Sequence, residues 1–207
     1  MVERLKRKAI ELVPALSARQ LAALEEAIRE LLPVDLSNLA AWGDTLLRHT
    51  EALSGALQRL TAAVANWHAG DLIDDCNQAM AASGLWKMLR KSPSSFKSAL
   101  ELILAQAPQT LAGLDDLTSR LPPCRERYAA SLLLQKVAPQ VLSLHEIEAE
   151  ALARRGHLLA LSAQQFDLLE PQVEQLKRQV VVWQSEIEQL VRVAIPVWEL
   201  ANGRGER

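Results

Sequence analysis

The sequence predicts an all-α protein, an elongated antiparallel helical bundle with several long helices. Leu and Ala dominate, β-branched residues are sparse, and the 8 glycines and 9 prolines make up only about 8% of the 207 residues. Apolar residues also recur at helical spacing along nearly the whole chain. A helix of about 30 residues is about 45 Å long, which favours an elongated bundle over a compact one. Sandwich, collagen-like and Rossmann-type folds are excluded.

The N-terminal helices are bounded by prolines and a polar cap. Residues 3–12 form a short helix that Pro14 stops. Ser17 caps a second helix, which ends at Pro33 and carries its apolar residues along one face. That stripe comprises Leu21, Leu24, Ile28, Leu31 and Leu32. The first 33 residues are therefore expected to form a hairpin-like helical segment.

The next two helices are expected to begin at acidic or hydroxyl caps. Asp35 or Ser37 caps a long helix that runs to about Trp67, and Asp71 opens another over about 72–82. The inward residues of the long helix are predicted to be Leu39, Trp42, Leu46, Leu53, Leu57, Leu60 and Val64. Cys76 lies within the shorter helix.

Prolines divide the second half of the chain into further predicted helices. A helix begins at Ser94 or Ser95 and ends at Leu121, with a bend allowed at Pro108. Pro122-Pro123 is the strongest predicted break, because proline lacks the N–H that a helix interior needs. The remaining helices are expected over residues 124–136, 140–169 and 172–200, separated at Pro139 and Pro171.

Composition and charge indicate the class of protein but say little about its biochemical activity. We expect a single domain over residues 1–201, divided into 1–33 and 34–201, with a disordered tail at 202–207. The net charge of −2 gives no nucleic-acid footprint. Two cysteines are too few for a disulfide scaffold, and no apolar run approaches the ~18 residues that cross a bilayer. A cytoplasmic protein without bound nucleic acid is therefore expected.

Four stretches of the sequence, in this order along the chain, resemble the motifs of a known family. The first is Val34-Asp35-Leu36, followed by Trp42-Gly43 and Ser54. The second is Ala69-Gly70-Asp71-Leu72, which leads to Gly84-Leu85-Trp86-Lys87-Met88-Leu89. They are similar to the toxic anion resistance family, the TelA-like proteins associated with tellurite resistance. Trp42 stands where that family has Phe.

The other two stretches lie in the second half. Leu114-Asp115-Asp116-Leu117 falls within a helical segment in the place of the family's I-D-K-I. Pro171-Gln172-Val173 and Ile195-Pro196-Val197-Trp198, 22 positions apart from Val173 to Ile195, look like the family's terminal P-Q-I and I-P-L-W. The motif positions Trp42, Gly43, Pro171, Gln172, Pro196 and Trp198 are expected to be structural. The resemblance implies a non-enzymatic role in stress resistance, exerted through protein partners.

No catalytic motif supports an enzyme, and no cofactor is expected. The sequence contains no phosphate loop, nucleophile elbow or zinc-ligand spacing. His145 with Glu146, Glu148 and Glu150 is the cluster that most resembles a metal site, and His145 and Glu148, three residues apart, share a helix face. A di-metal site also needs carboxylates from facing helices, so a solvated acidic face is the simpler interpretation.

The two cysteines leave a thiol interpretation open. Cys124 follows Pro123 at a predicted helix start, which would lower its pKa, whereas Cys76 is expected to be a small buried hydrophobe. A thiol- or metal-dependent reductase is therefore a third class, beside anion resistance and an assembly subunit of a larger complex.

Tryptophan and basic residues suggest a possible contact site. Trp42 and Trp183 fall within apolar stripes and are expected in the core. Trp86 is followed by Lys87, Arg90 and Lys91, a combination that suits an acidic partner or lipid headgroups. Ordinary packing at a helix break is the simpler interpretation of the same residues. Protein partners are expected, and peripheral membrane contact is the less favoured alternative.

Overall fold

The fold is a helical bundle, in agreement with the predicted all-α class. A computed structural model describes residues 1–82 and 92–203, and every regular element in those residues is helical. None of the described helices combines the length and the apolar character that a membrane span requires. Their bounds are α1 Val2–Leu12, α2 Ala18–Leu31, α3 Leu36–Ala41, α4 Asp44–Ala65, α5 Ala69–Ala81, a 3₁₀ turn Pro93–Phe96, α6 Lys97–Val141, α7 Glu146–Asp167, α8 Leu169–Gln189, a π-helical turn Leu190–Ala194 and α9 Ile195–Gly203.

Contacts divide the chain into two compact units. Unit 1 comprises Met1–Ala56 and Leu117–Pro171. Unit 2 comprises Leu57–Asp116 and Gln172–Arg207, of which residues 57–82, 92–116 and 172–203 lie in the described part. Each unit is built from two separate stretches of sequence. The expected single domain over 1–201 stays a prediction.

The first two helices of unit 1 follow the sequence closely. The Ser17 hydroxyl accepts a hydrogen bond from the Gln20 N–H, and the Gln20 side chain accepts one from the Ser17 N–H, so a reciprocal cap fixes the start of α2. α1 packs on α2 through buried Leu5 and Ala9. A partly buried ion pair between Lys6 and Glu25 also joins the two helices.

The predicted helix from residue 35 to Trp67 is wrong in one respect, because it is two helices. Asp35 caps only the short α3, where its carboxylate accepts a hydrogen bond from the Asn38 N–H at 2.9 Å. The chain then turns at Gly43, whose φ of +75° is a conformation that residues with a Cβ rarely adopt. Of the predicted inward residues, all but the half-buried Leu60 are buried.

The helix predicted over about 72–82 begins earlier than expected. α5 starts at Ala69, directly after His68, which has a left-handed backbone with φ of 48°. Asp71 lies in the first turn instead of at the cap, where its charge still complements the positive helix terminus.

The predicted break at Pro122-Pro123 is wrong, since α6 continues as one helix for 45 residues. It also continues through Pro108 and Pro139. A helix-interior proline costs about 3 kcal/mol, so packing on both sides must compensate. It does so here through side chains buried at helical spacing before and after the proline pair, namely Leu114, Leu117, Leu121, Cys124 and Tyr128.

The last predicted helix, residues 172–200, begins earlier and contains a π-helical turn. α8 starts at Leu169, which places Pro171 in the first helical turn, where a missing N–H costs little. The π turn Leu190–Ala194 directly precedes α9. Pro196, the second residue of α9, has no N–H to donate to a carbonyl of that preceding turn. The helix expected over 140–169 is α7, and it starts at Glu146 because α6 runs on to Val141.

Candidate interaction surface

Helix α7, in unit 1, carries several exposed large aliphatic side chains, and its start is defined by local capping. The His145 N–H donates to the Glu148 carboxylate at 2.9 Å. Glu146 and Glu148 in the first turn complement the helix dipole. The group His145, Glu146, Glu148 and Glu150 therefore serves helix capping and surface pairing. In the described residues, no three His, Cys, Asp or Glu side chains are grouped to hold a metal ion.

The inner face of α7 packs against α6 in an antiparallel arrangement. Gln135 of α6 lies over Gly156, where a Cβ would come within 2.0 Å of the Gln135 Cδ. Farther along, Tyr128 stacks on Phe166 with ring centroids 5.5 Å apart. Because the contacts run in opposite directions along the two helices, α6 and α7 are antiparallel, as the sequence predicts for the bundle.

Polar groups on the same inner face select one packing arrangement. The Tyr128 hydroxyl lies 2.8 Å from the Thr50 hydroxyl and 2.6 Å from the Ser162 hydroxyl, which links α4, α6 and α7. Arg155 of α7 donates to the Trp42 carbonyl and to the Asp44 carboxylate, so it satisfies both sides of the α3–α4 turn. Buried polar groups of this kind are costly unless paired, and their pairing fixes the register of the helices.

The opposite side of α7 carries large aliphatic side chains in water. Ile147 is 65% exposed, Leu158 51%, Leu161 44% and Leu168, just after the helix end, 59%. Together with the positions between them they form a row that we call the outer stripe. Its members are Ile147, Ala151, Arg154, Leu158, Leu161, Gln165 and Leu168.

The outer stripe has the geometry of a helix-pairing seam. Its members alternate at intervals of four and three residues, which is the repeat by which one helix packs along another. α7 has 22 residues and so is about 33 Å long. Arg154 lies within the stripe and pairs with Glu150 one turn earlier at 2.5 Å. The stripe can therefore bury an apolar helix while its charged position stays neutralised.

Both thiols lie in the interior of the protein. Cys124 lies inside α6 and not at a helix start, so the expected lowering of its pKa is wrong. Burial raises the pKa of Cys124, and it also raises the pKa of Cys76, which is buried as expected. At neutral pH both groups are held as neutral thiols, which are poor nucleophiles.

The motif positions lie in structural surroundings. Trp42 is buried as expected, and its indole N–H has no hydrogen-bond partner in the described part of the chain. Gly43 is required both by its positive φ and by Leu159, whose side chain would lie 2.7 Å from an added Cβ. Pro171 and Gln172 are exposed in the first turn of α8.

Of the two tryptophans expected in the core, Trp183 is less buried than the sequence suggests. Pro196 and Trp198 are half-buried in α9, and Trp183, expected in the core, is also only half-buried. The candidate contact residues Trp86, Lys87, Arg90 and Lys91 lie outside the described residues.

Unit 2 contains an open groove with an uncharged lining. It encloses about 590 Å³ between α4, α5 and the first turns of α6. Apolar side chains dominate its surface, with amide groups among them, and the lining residues are Leu60, Ala63, Asn66, Trp67, Leu72, Ala99, Leu102, Ile103, Gln106, Gln109 and Thr110. No feature of this groove singles out an occupant.

Sequence reasoning missed the outer stripe, although a signal for it exists. Leu158 and Leu159 are neighbours, and a search for the buried stripe alone assigns both to the core. The four- and three-residue spacing from Ile147 to Leu168 is visible in the sequence, offset from the buried Leu152, Leu159 and Phe166. Two apolar stripes on one helix indicate two packing partners.

No protein-family model, curated protein or solved structure matches this chain. The resemblance to the toxic anion resistance family therefore rests on its four motif stretches and stays a prediction.

Proposed function

We propose that this chain is a non-catalytic helical protein that acts by binding another helix along the outer stripe of α7. The observation that carries the proposal is the set of four large aliphatic side chains, each between 44% and 65% exposed, at helix-pairing intervals along α7 and its C-terminal cap residue. Contiguous exposed apolar patches on soluble proteins mark interaction sites. Helix-in-groove and helix-pairing recognition read such anchors at intervals of three and four residues.

Two further features support a binding role over a reductase. The thiols that a reductase would use are both buried, and burial raises the pKa of each. Acidic side chains that could resemble a metal site at the start of α7 are engaged in a cap and in an ion pair. A binding role requires only the exposed side chains of the outer stripe.

The biological setting that we propose is cytoplasmic resistance to tellurite or a related toxic anion. The support is the resemblance carried by the motif stretches from Val34 to Trp198. The same outer stripe would also suit an assembly subunit of a larger bacterial complex unrelated to anion resistance. The two settings differ in whether loss of the protein sensitises cells to tellurite.

The experiment compares two single-charge variants in a strain that lacks the gene. Leu158→Lys places a charge in the middle of the stripe, and Ala153→Lys places the same charge on an exposed position of the same helix away from the stripe. We expect the deletion strain to grow poorly on tellurite, and the parent and Ala153→Lys to restore growth. Leu158→Lys is expected to fail at equal protein level.

Each outcome decides between the candidates. Restoration by Leu158→Lys to the parent level would refute the binding role of the stripe. Unchanged tellurite growth of the deletion strain would refute the resistance setting and favour the assembly subunit.

A further inference from the structure

We draw no further inference here: the strongest candidate, the open groove of unit 2 between α4, α5 and the first turns of α6, has an uncharged lining, and nothing in the described part of the chain shows what covers it.

Discussion

The two faces of α7 carry similar aliphatic residues, but those on one face are buried and those on the other are exposed. Leu159 is fully buried on the inner face, whereas its neighbour Leu158 is 51% exposed on the outer stripe. The inner face is completed by polar contacts from Tyr128 and Arg155, which define a single packing arrangement. The comparison shows that hydrophobicity alone does not say what a leucine does in this helix. The inner leucines stabilise the fold, and the outer ones are available for binding.

The largest expected difference between the faces is in stability. Replacing Phe166 by Ala removes a buried ring that packs on Tyr128, which should lower the free energy of unfolding by about 3–5 kcal/mol. Replacing Leu158 by Ala should change it by about 1 kcal/mol or less, because about half of the side chain is already in water. Urea unfolding followed by circular dichroism at low protein concentration measures both.

A loss above about 2 kcal/mol for the dilute Leu158→Ala variant would mean that the outer stripe is part of the core, on the scale of buried leucine truncations.

A smaller effect is expected where the inner face meets the α3–α4 turn. Gly43→Ala forces a residue with a Cβ into a positive φ and pushes on Leu159, so it should cost about 1–2 kcal/mol. Gly70→Ala is the matched control, because its added Cβ would meet only the Trp183 ring at 4.0 Å. Equal denaturation midpoints for the two variants would show that the turn tolerates side chains and that Leu159 repacks freely.

The smallest expected effect concerns charge and pH. Glu30 is half-buried and accepts a hydrogen bond from Arg127 at 2.9 Å, yet burial raises the pKa of Glu30 above its usual value of 4.5, and Arg127 only partly offsets this. The exposed pair Glu150–Arg154 on the outer stripe is the contrast, since exposed ion pairs contribute little to stability.

The sign of the pH dependence follows from that raised pKa. Below pH 4.5 Glu30 is protonated in both the folded and unfolded chain, and its titration gives no difference. As the pH rises through 4.5 toward the folded-state pKa, the unfolded chain releases this proton first, so the contribution of Glu30 to folding stability falls. Glu30→Gln should therefore gain stability relative to the parent between acidic and neutral pH.

Denaturant unfolding at a series of pH values tests this, with Glu150→Gln as the control, which should follow the parent curve. A Glu30→Gln variant that loses stability relative to the parent as the pH rises would show that the Arg127 pair outweighs the cost of burial.

Much of the fold could be predicted from local sequence, but the points at which the helices end or turn could not. The Ser17 cap and the apolar stripe of α2 are local signals, and they are confirmed. The proline pair Pro122-Pro123 is also a local signal, but tertiary packing along α6 overrides it. The turn at Trp42–Gly43 depends on Arg155, which is more than one hundred residues away in sequence. No local pattern could have revealed it.

The candidate surface was harder to predict for a different reason. A periodic pattern shows which residues are apolar, but burial on the inner face depends on which helices pack there. Only the structure separates Leu159 from Leu158. The thiol prediction for Cys124 was wrong for the same reason, since its environment is set by neighbouring helices and not by the adjacent Pro123.

The most direct test of the two-face account is a comparison of thiol-labelling rates at neighbouring positions of α7 in the native protein. A maleimide should react quickly with a Leu158→Cys variant, whose side chain lies on the outer stripe, and slowly with a Leu159→Cys variant, whose side chain is fully buried. An Ala153→Cys variant, exposed on the same helix away from the stripe, should also react quickly. Equal rates for Leu158→Cys and Leu159→Cys would contradict the account, because the two leucines would then lie in the same environment.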